Sequence, residues 1–200
     1  MSITEKISKM FIKFILNNTE KSEEELEKIQ YGFQVIIMNV FKITILFFTA
    51  YFLKVFMYTV IALIFFGVLR SFACGVHANS SLLCIAINYF VFLGNVLMSM
   101  NLHINKTTIA VLYILSLILI TLYAPADTEE RPLVSEKHRK SLKIKAIIAV
   151  LVFAFISLII NSSIYMNLII ISILEESISI TPFAYSVLKK PYMNYKNVNL

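Results

Sequence analysis

Glycine and proline are scarce here, four of each in 200 residues. Frequent chain breaks are therefore excluded, and long helices are expected. Charge is scarce as well: 15% of residues are charged against 58% hydrophobic, and the mean hydropathy is +0.79. Soluble domains are rarely so apolar, which points to a polytopic membrane protein. The apolar runs are continuous and do not alternate, which excludes a β-barrel. Only two cysteines occur, Cys74 and Cys84, with no secretory context, so no disulfide framework is expected and both thiols are free. The first apolar stretch, "MFIKFIL", is broken by Lys13 and followed by no small-residue cleavage site, unlike a cleavable signal peptide. No Walker A, G-x-G-x-x-G or H-E-x-x-H motif and no internal repeat is present, so nucleotide-driven transport and zincin chemistry lack support.

What is present is an ordered series of apolar segments. Residues 2–17 read as an amphipathic interfacial helix: Ile3, Ile7, Met10, Phe11 and Phe14 recur at helical spacing, with Lys6, Lys9 and Lys13 on another face. Ser22 and Glu25 have capping-box spacing and open a second helix. Apolar segments follow at 31–53, 55–69, 81–100, 107–123, 146–160 and 164–188. The fold class expected is therefore an all-α polytopic membrane protein of about six transmembrane helices plus the N-terminal amphipathic helix. The segment at 55–69 is short for a bilayer and spans only if its helix continues past Arg70 or the bilayer thins. The domains expected are interfacial helices over 1–30, one helical transmembrane domain over 31–188, and a cytoplasmic tail over 189–200.

Six spans place both termini, the 70–84 loop and the 124–145 loop on one side. Fifteen of the eighteen Lys and Arg residues lie on that side; Lys54 and Lys106 lie on the other and Lys42 within a span. The asymmetry puts both termini in the cytoplasm. Basic charge that follows topology in this way gives no reason to invoke nucleic acid. Two acidic features need a reading. At least one of Glu175 and Glu176, inside the last span, should face protein or a wet cavity, with Lys42 a candidate partner. Asp127, Glu129 and Glu130 fall in the loop after the fourth segment, where solvent exposure is expected.

The stretch "RSFACGVHANSSLLC", Arg70 to Cys84, concentrates the reactive side chains. A cysteine nucleophile needs a base or a field that stabilises thiolate, and His77 titrates in the right range. On one straight helix a seven-residue separation is about 10.5 Å, too far for a hydrogen bond. The chain must bend between them. Gly75 relaxes the backbone, and Asn79, Ser80 and Ser81 are good N-caps, so a loop carrying His77 followed by a helix starting near Asn79 or Ser80 is expected. Cys84 then lies in the first turn and a half, where the helix dipole favours thiolate. Arg70 closes the preceding helix and could steer a carboxylate or steady an oxyanion. The plain alternatives are a packing cysteine, a topology-anchoring arginine and a solvated histidine. Cys74 as the nucleophile, or zinc held by Cys74, His77 and Cys84, stays open on spacing alone.

The same residues resemble a known signature. Arg70, Gly75, His77, Ala78 and Cys84 match the R-x-x-x-G-G-x-H-A-x-x-x-x-x-C pattern of the accessory gene regulator B (AgrB) proteins, with Cys74 replacing the first glycine. "YGFQVIIMNVFK" is similar to the family's leading segment, "YAPADTEERPL" at 123–133 to its A-P-x-[DE]-x-x-x-[KR]-P loop, and "ESISITP" to its last span. The resemblance implies a membrane cysteine endopeptidase of a Gram-positive bacterium, acting at the cytoplasmic face of the cell membrane in quorum sensing. It implies an AgrD-type propeptide as substrate, Cys84 as nucleophile and His77 as base, with Arg70, Gly75, Ser80 and Ser81 in support. The tail of the propeptide leaves, and the substrate's own cysteine resolves the acyl-enzyme to a cyclic thiolactone. Arg131, Lys137, Arg139 and Lys140 are candidates to hold the acidic tail, although positive-inside topology alone explains most of that charge. Membrane lipid and a homodimeric partner are implied; no metal or other cofactor is. Two rivals stand beside this: a small exporter of a signalling peptide, against which the lack of paired Gly/Pro-broken helices counts, and a non-catalytic membrane scaffold.

Overall fold

A computed structural model describes residues 23–78, 80–129 and 131–197. The interfacial helix expected over 2–17 and the cap expected at Ser22 lie outside the described residues. The chain divides into two compact units between Phe52 and Leu53. All regular elements among the described residues are helical, joined by loops that hold only isolated β-bridges.

In the first unit, α1 (Glu23–Phe52) runs without a break. At about 1.5 Å per residue it is some 45 Å long, and its part from Gly32 to Phe52 is long and apolar enough to cross a membrane. Two of its threonines bond within the helix, as suits hydrocarbon surroundings: Thr44 and Thr49 donate to the carbonyls of Val40 and Ile45 at 2.8 and 3.1 Å.

The second unit opens with α2 (Phe56–Ala73), which does continue past Arg70 and so reaches spanning length. After a loop come α3 (Ser81–Asn88), a π-helical turn at Tyr89–Leu93, and α4 (Gly94–Asn101). These three stack as one apolar rod over Leu82–Asn101. Helix α5 (Lys106–Tyr123) is capped by Asn105, whose side-chain oxygen accepts the Thr108 N–H at 2.8 Å. Helix α6 (Glu136–Ile159) is capped by Ser135 and carries its basic residues in its first three turns, ahead of the apolar part. Among the described residues five helices thus have the length and composition of membrane spans, and the protein is an all-helical polytopic membrane protein.

The last expected segment, 164–188, is divided. Helix α7 (Ser163–Ser179) ends before Thr181, which caps α8 (Pro182–Val187) by accepting the Ala184 N–H. Pro182 stands at the first position of α8, where its missing N–H costs nothing; inside a continuous helix it would break the ladder. At 17 residues α7 is short, and it is also the most enclosed helix. Leu168, Ile170 and Ile173 have no exposed surface, and α7 packs against α2, α4, α5 and α6. A helix surrounded by protein need not match the bilayer in length. Its polar residues pair inward: Asn95 of α4 donates to Ser172 at 2.9 Å, and Asn167 donates to the Leu102 carbonyl at 2.8 Å. Outward faces of the other helices, Phe155 and Leu158 among them, remain apolar and exposed, as suits contact with lipid.

Candidate active site

The loop between α2 and α3 is built by its backbone. Helix α2 ends because Cys74 turns to φ 64°, ψ −124°, and Gly75 follows at φ 113°. Only glycine tolerates the second position. A Cβ there would lie 2.8 Å from Ser179 Oγ and 2.9 Å from Arg70 Nη1. The loop is then tied to two neighbours. Gly75 N–H donates to the Ala126 carbonyl and Ala126 N–H to the Ala73 carbonyl, each at 2.9 Å, which joins it to the loop after α5. Val76 N–H points at the Ser179 carbonyl at the end of α7.

Arg70 fastens the arrangement. Its guanidinium donates to Glu176 Oε2 at 3.0 Å and Ser179 Oγ at 3.1 Å, and to the carbonyls of Val76 and Gly75 at 2.6 and 3.3 Å. These contacts tie the guanidinium to α7 and to the loop's own backbone. The cation paired with Glu176 is Arg70, where the sequence offered Lys42. Glu175 takes a different partner, accepting from the Asn95 amide at 3.3 Å.

His77 follows at once and is exposed, beside a small cavity lined by Val76, Thr128, Glu129, Tyr185, Lys190 and Pro191. Ser80 is the N-cap of α3, its hydroxyl accepting the Leu83 N–H at 3.2 Å, and Ser81 is the first helical residue. Cys84 stands half-buried in the opening turns, its N–H on the Ser80 carbonyl at 2.9 Å. Loop, cap and cysteine therefore fall where the residue pattern put them, with Ser80 taking the cap. Among the described residues no three His, Cys, Asp or Glu side chains converge as a metal site would need, which leaves the zinc alternative for Cys74, His77 and Cys84 unassembled.

The surroundings of Cys74 disfavour its thiolate. Burial pushes its thiol above the ordinary range, only partly offset by Arg131 and Arg70, and Glu176 and Asp127 push the same way as burial. Its backbone angles are those glycine adopts freely and other residues resist. A Cys74→Gly variant should therefore be more stable by about 1 kcal/mol, a rise in melting temperature of roughly 2–4 °C. A thermal melt in lipid checks this; an unchanged or lower melting temperature would show that cysteine carries no strain at this position.

The basic residues part company. Arg139 is committed: it donates to the carbonyls of Leu133 and Val134 at 2.8 and 3.0 Å, and its guanidinium lies 4.0 Å from the Tyr195 ring centre. Lys140 pairs with Glu136 at the surface at 2.8 Å. Both line an open cleft of about 270 Å³ with Lys143, Tyr123, Tyr192 and Tyr195. Arg131 and Lys137 are exposed and lie outside that lining, although the Arg131 charge reaches Cys74.

Two residues escaped sequence reasoning. Asp127 is buried, against the exposure expected of it. Its carboxylate accepts the N–H groups of Tyr195, Asn194 and Leu133 at 2.6, 2.9 and 3.3 Å, and its carbonyl accepts the Tyr185 hydroxyl at 2.7 Å. Burial and the adjacent Asp127 charge push the Tyr185 phenol far up, so it stays a donor. Glu176 is the second in its partner alone: it is buried against protein, as an acid pair in an apolar run requires, but its cation is Arg70. The matching A-P loop and the acid pair in an apolar run were the available signals, but neither names a partner.

Comparison with known proteins bears on the whole chain. A family model described as Accessory gene regulator B matches residues 4–180. A putative AgrB-like protein of Clostridium acetobutylicum is 35% identical over 195 residues, covering 97% of this chain and 93% of that protein. Its counterpart in Listeria welshimeri is 34% identical over 174 residues, covering 87% and 85%. The accessory gene regulator protein B of Staphylococcus intermedius is 31% identical over 176 residues, covering 88% and 92%. No solved structure matches.

Proposed function

This chain belongs to the accessory gene regulator B family of membrane proteins, and from that premise we propose that it is a cysteine endopeptidase that cuts and cyclises an AgrD-type pheromone propeptide. The observation that carries this reading is the junction itself. A loop held by Arg70 and Gly75 delivers His77, and a helix capped by Ser80 presents Cys84 in its opening turns.

The chemistry follows from these groups. His77 takes the thiol proton of Cys84, and the thiolate attacks the carbonyl carbon of the peptide bond before the tail. As the tetrahedral adduct collapses, the C–N bond breaks and the imidazolium returns its proton to the departing amine. A thioester on Cys84 remains. The substrate's own cysteine gives its proton to His77 and attacks that thioester, closing the ring and freeing the Cys84 sulfur to be reprotonated. An intramolecular thiol outcompetes water where the geometry is right. The cleft lined by Lys140 and Lys143, walled by tyrosines, suits the acidic tail. In this reading both termini and the site face the cytoplasm, and a second copy of the chain is the family's expectation.

The test uses purified protein in lipid with a synthetic propeptide whose own cysteine is replaced by serine. Intact-mass spectrometry should show an acyl adduct on Cys84 that is absent in His77→Ala. An adduct mapped to Cys74, or none while wild-type protein cuts the natural propeptide, would overturn the thioester route.

A further inference from the structure

We propose that Glu176 is a positioning residue of the active site: from the core of α7 it holds Arg70, and Arg70 holds the backbone that delivers His77. The inference rests on the reading of His77 as the base, and extends the site to a helix that no catalytic motif marks.

The contacts form one relay. Glu176 Oε2 accepts from Arg70 Nη1 at 3.0 Å and from the Ser179 hydroxyl at 2.9 Å, and the same Arg70 nitrogen donates to Ser179 Oγ at 3.1 Å. The other terminal nitrogen of Arg70 grips the carbonyls of Val76 and Gly75 at 2.6 and 3.3 Å. Val76 is the residue before His77, so a shift of the guanidinium moves the base directly. Arg70 also lies 5.7 Å from the Phe66 ring centre, but its one ionic partner among the described residues is Glu176. The Arg70 side chain is 21% exposed at the end of α2, and Glu176, at 0%, is the carboxylate that anchors it.

Stability gives no adequate reason for this pair. Removing two charges from water costs about what their attraction returns, and apolar replacements of buried pairs are often neutral or stabilising. The carboxylate is not even fully used: Oε1 is buried with no hydrogen-bond partner among the described residues. All its bonding runs through the oxygen that faces Arg70 and Ser179. A buried ion pair that pays for a fixed loop, and not for the fold, is what a catalytic loop requires, since small displacements of a base are costly in rate.

The experiment compares Glu176→Gln, the double variant Arg70→Met with Glu176→Leu, and His77→Ala, as full chains in lipid with the synthetic propeptide. Glutamine keeps the volume and one acceptor oxygen but loses the charge. It should lower kcat by roughly 10–100-fold, the range seen when an outer partner of a site residue is lost, with KM unchanged. Amide exchange at Gly75–His77 should rise. The double variant removes both charges together, so it should melt at least as high as Glu176→Gln, yet kcat should stay low. A merely structural pair would instead regain kcat as it regains stability. Wild-type kcat in Glu176→Gln, or recovered kcat in the double variant, would overturn the proposal. His77→Ala separates the two readings: if it cuts normally, the peptidase assignment of His77 fails; if it is inert while Glu176→Gln is normal, only the role of Glu176 fails.

Discussion

Cys84→Ser protein is expected to release no measurable tail from the propeptide, yet to fold and insert as the parent does. The two halves of this expected result have separate causes. The fold survives because serine is close to cysteine in size, because Cys84 is only half-buried, and because the contact that holds its backbone, N–H to the Ser80 carbonyl, does not involve the sulfur. Activity fails because a hydroxyl is far harder to ionise than a thiol and a single histidine must then do all the activation. Losing the nucleophile of a protease costs up to about 10⁶-fold in kcat, so a loss of at least roughly 10³-fold is expected here. His77→Ala should approach the same floor, and the double variant should be no worse than the poorer single one, because the two groups act as a unit. Progress curves by intact mass, paired with thermal melts in lipid, measure both halves. Cleavage by Cys84→Ser protein within a few-fold of the parent would sink the assignment.

Asp127→Ala is expected to be the most destabilising single change on the loops that join the helices. The carboxylate satisfies three backbone N–H groups: Leu133 ahead of α6, and Asn194 and Tyr195 in the C-terminal segment. Alanine leaves those donors unpaired in a buried place, at about 1–3 kcal/mol for each one that water cannot reach. A total of roughly 3–5 kcal/mol is expected, discounted because a released tail can rehydrate its own groups. The effect should be directional. Residues 189–197 should become sensitive to limited proteolysis, and Tyr195 should leave the Arg139 guanidinium that now stacks on it. Since Tyr192, Met193 and Tyr195 wall the basic cleft, KM for the propeptide should rise as well. Asp127→Asn keeps the shape and one acceptor oxygen and should lose less. An unchanged melt and an intact tail in Asp127→Ala would show that water replaces the carboxylate without cost.

The residue pattern carried much of this protein unaided. Membrane class, the helices and the junction at Ser80 are local properties: hydropathy over some twenty residues, scarce breakers, and a hydroxyl where a helix must start. The order of Arg70, Gly75, His77 and Cys84 is local too, and so is the family likeness it supports. Other features depend on what lies across the bundle. Nothing near Glu176 in the chain says that its cation is Arg70, 106 positions away, nor does a loop aspartate announce that it gathers N–H groups 67 and 68 positions downstream. The residue pattern puts Asp127 in solvent, because it weighs charge by neighbours along the chain. The tertiary structure buries it and also ties Arg139 to backbone at the edge of the basic cleft, for a physical reason. A buried carboxylate is tolerated only where donors from other elements converge on it, and a guanidinium beside unpaired carbonyls is held by them. Segment 164–188 was misjudged on similar grounds: its hydropathy is continuous, but Pro182 ends the central helix, and the enclosing helices remove the need for α7 to span the bilayer alone.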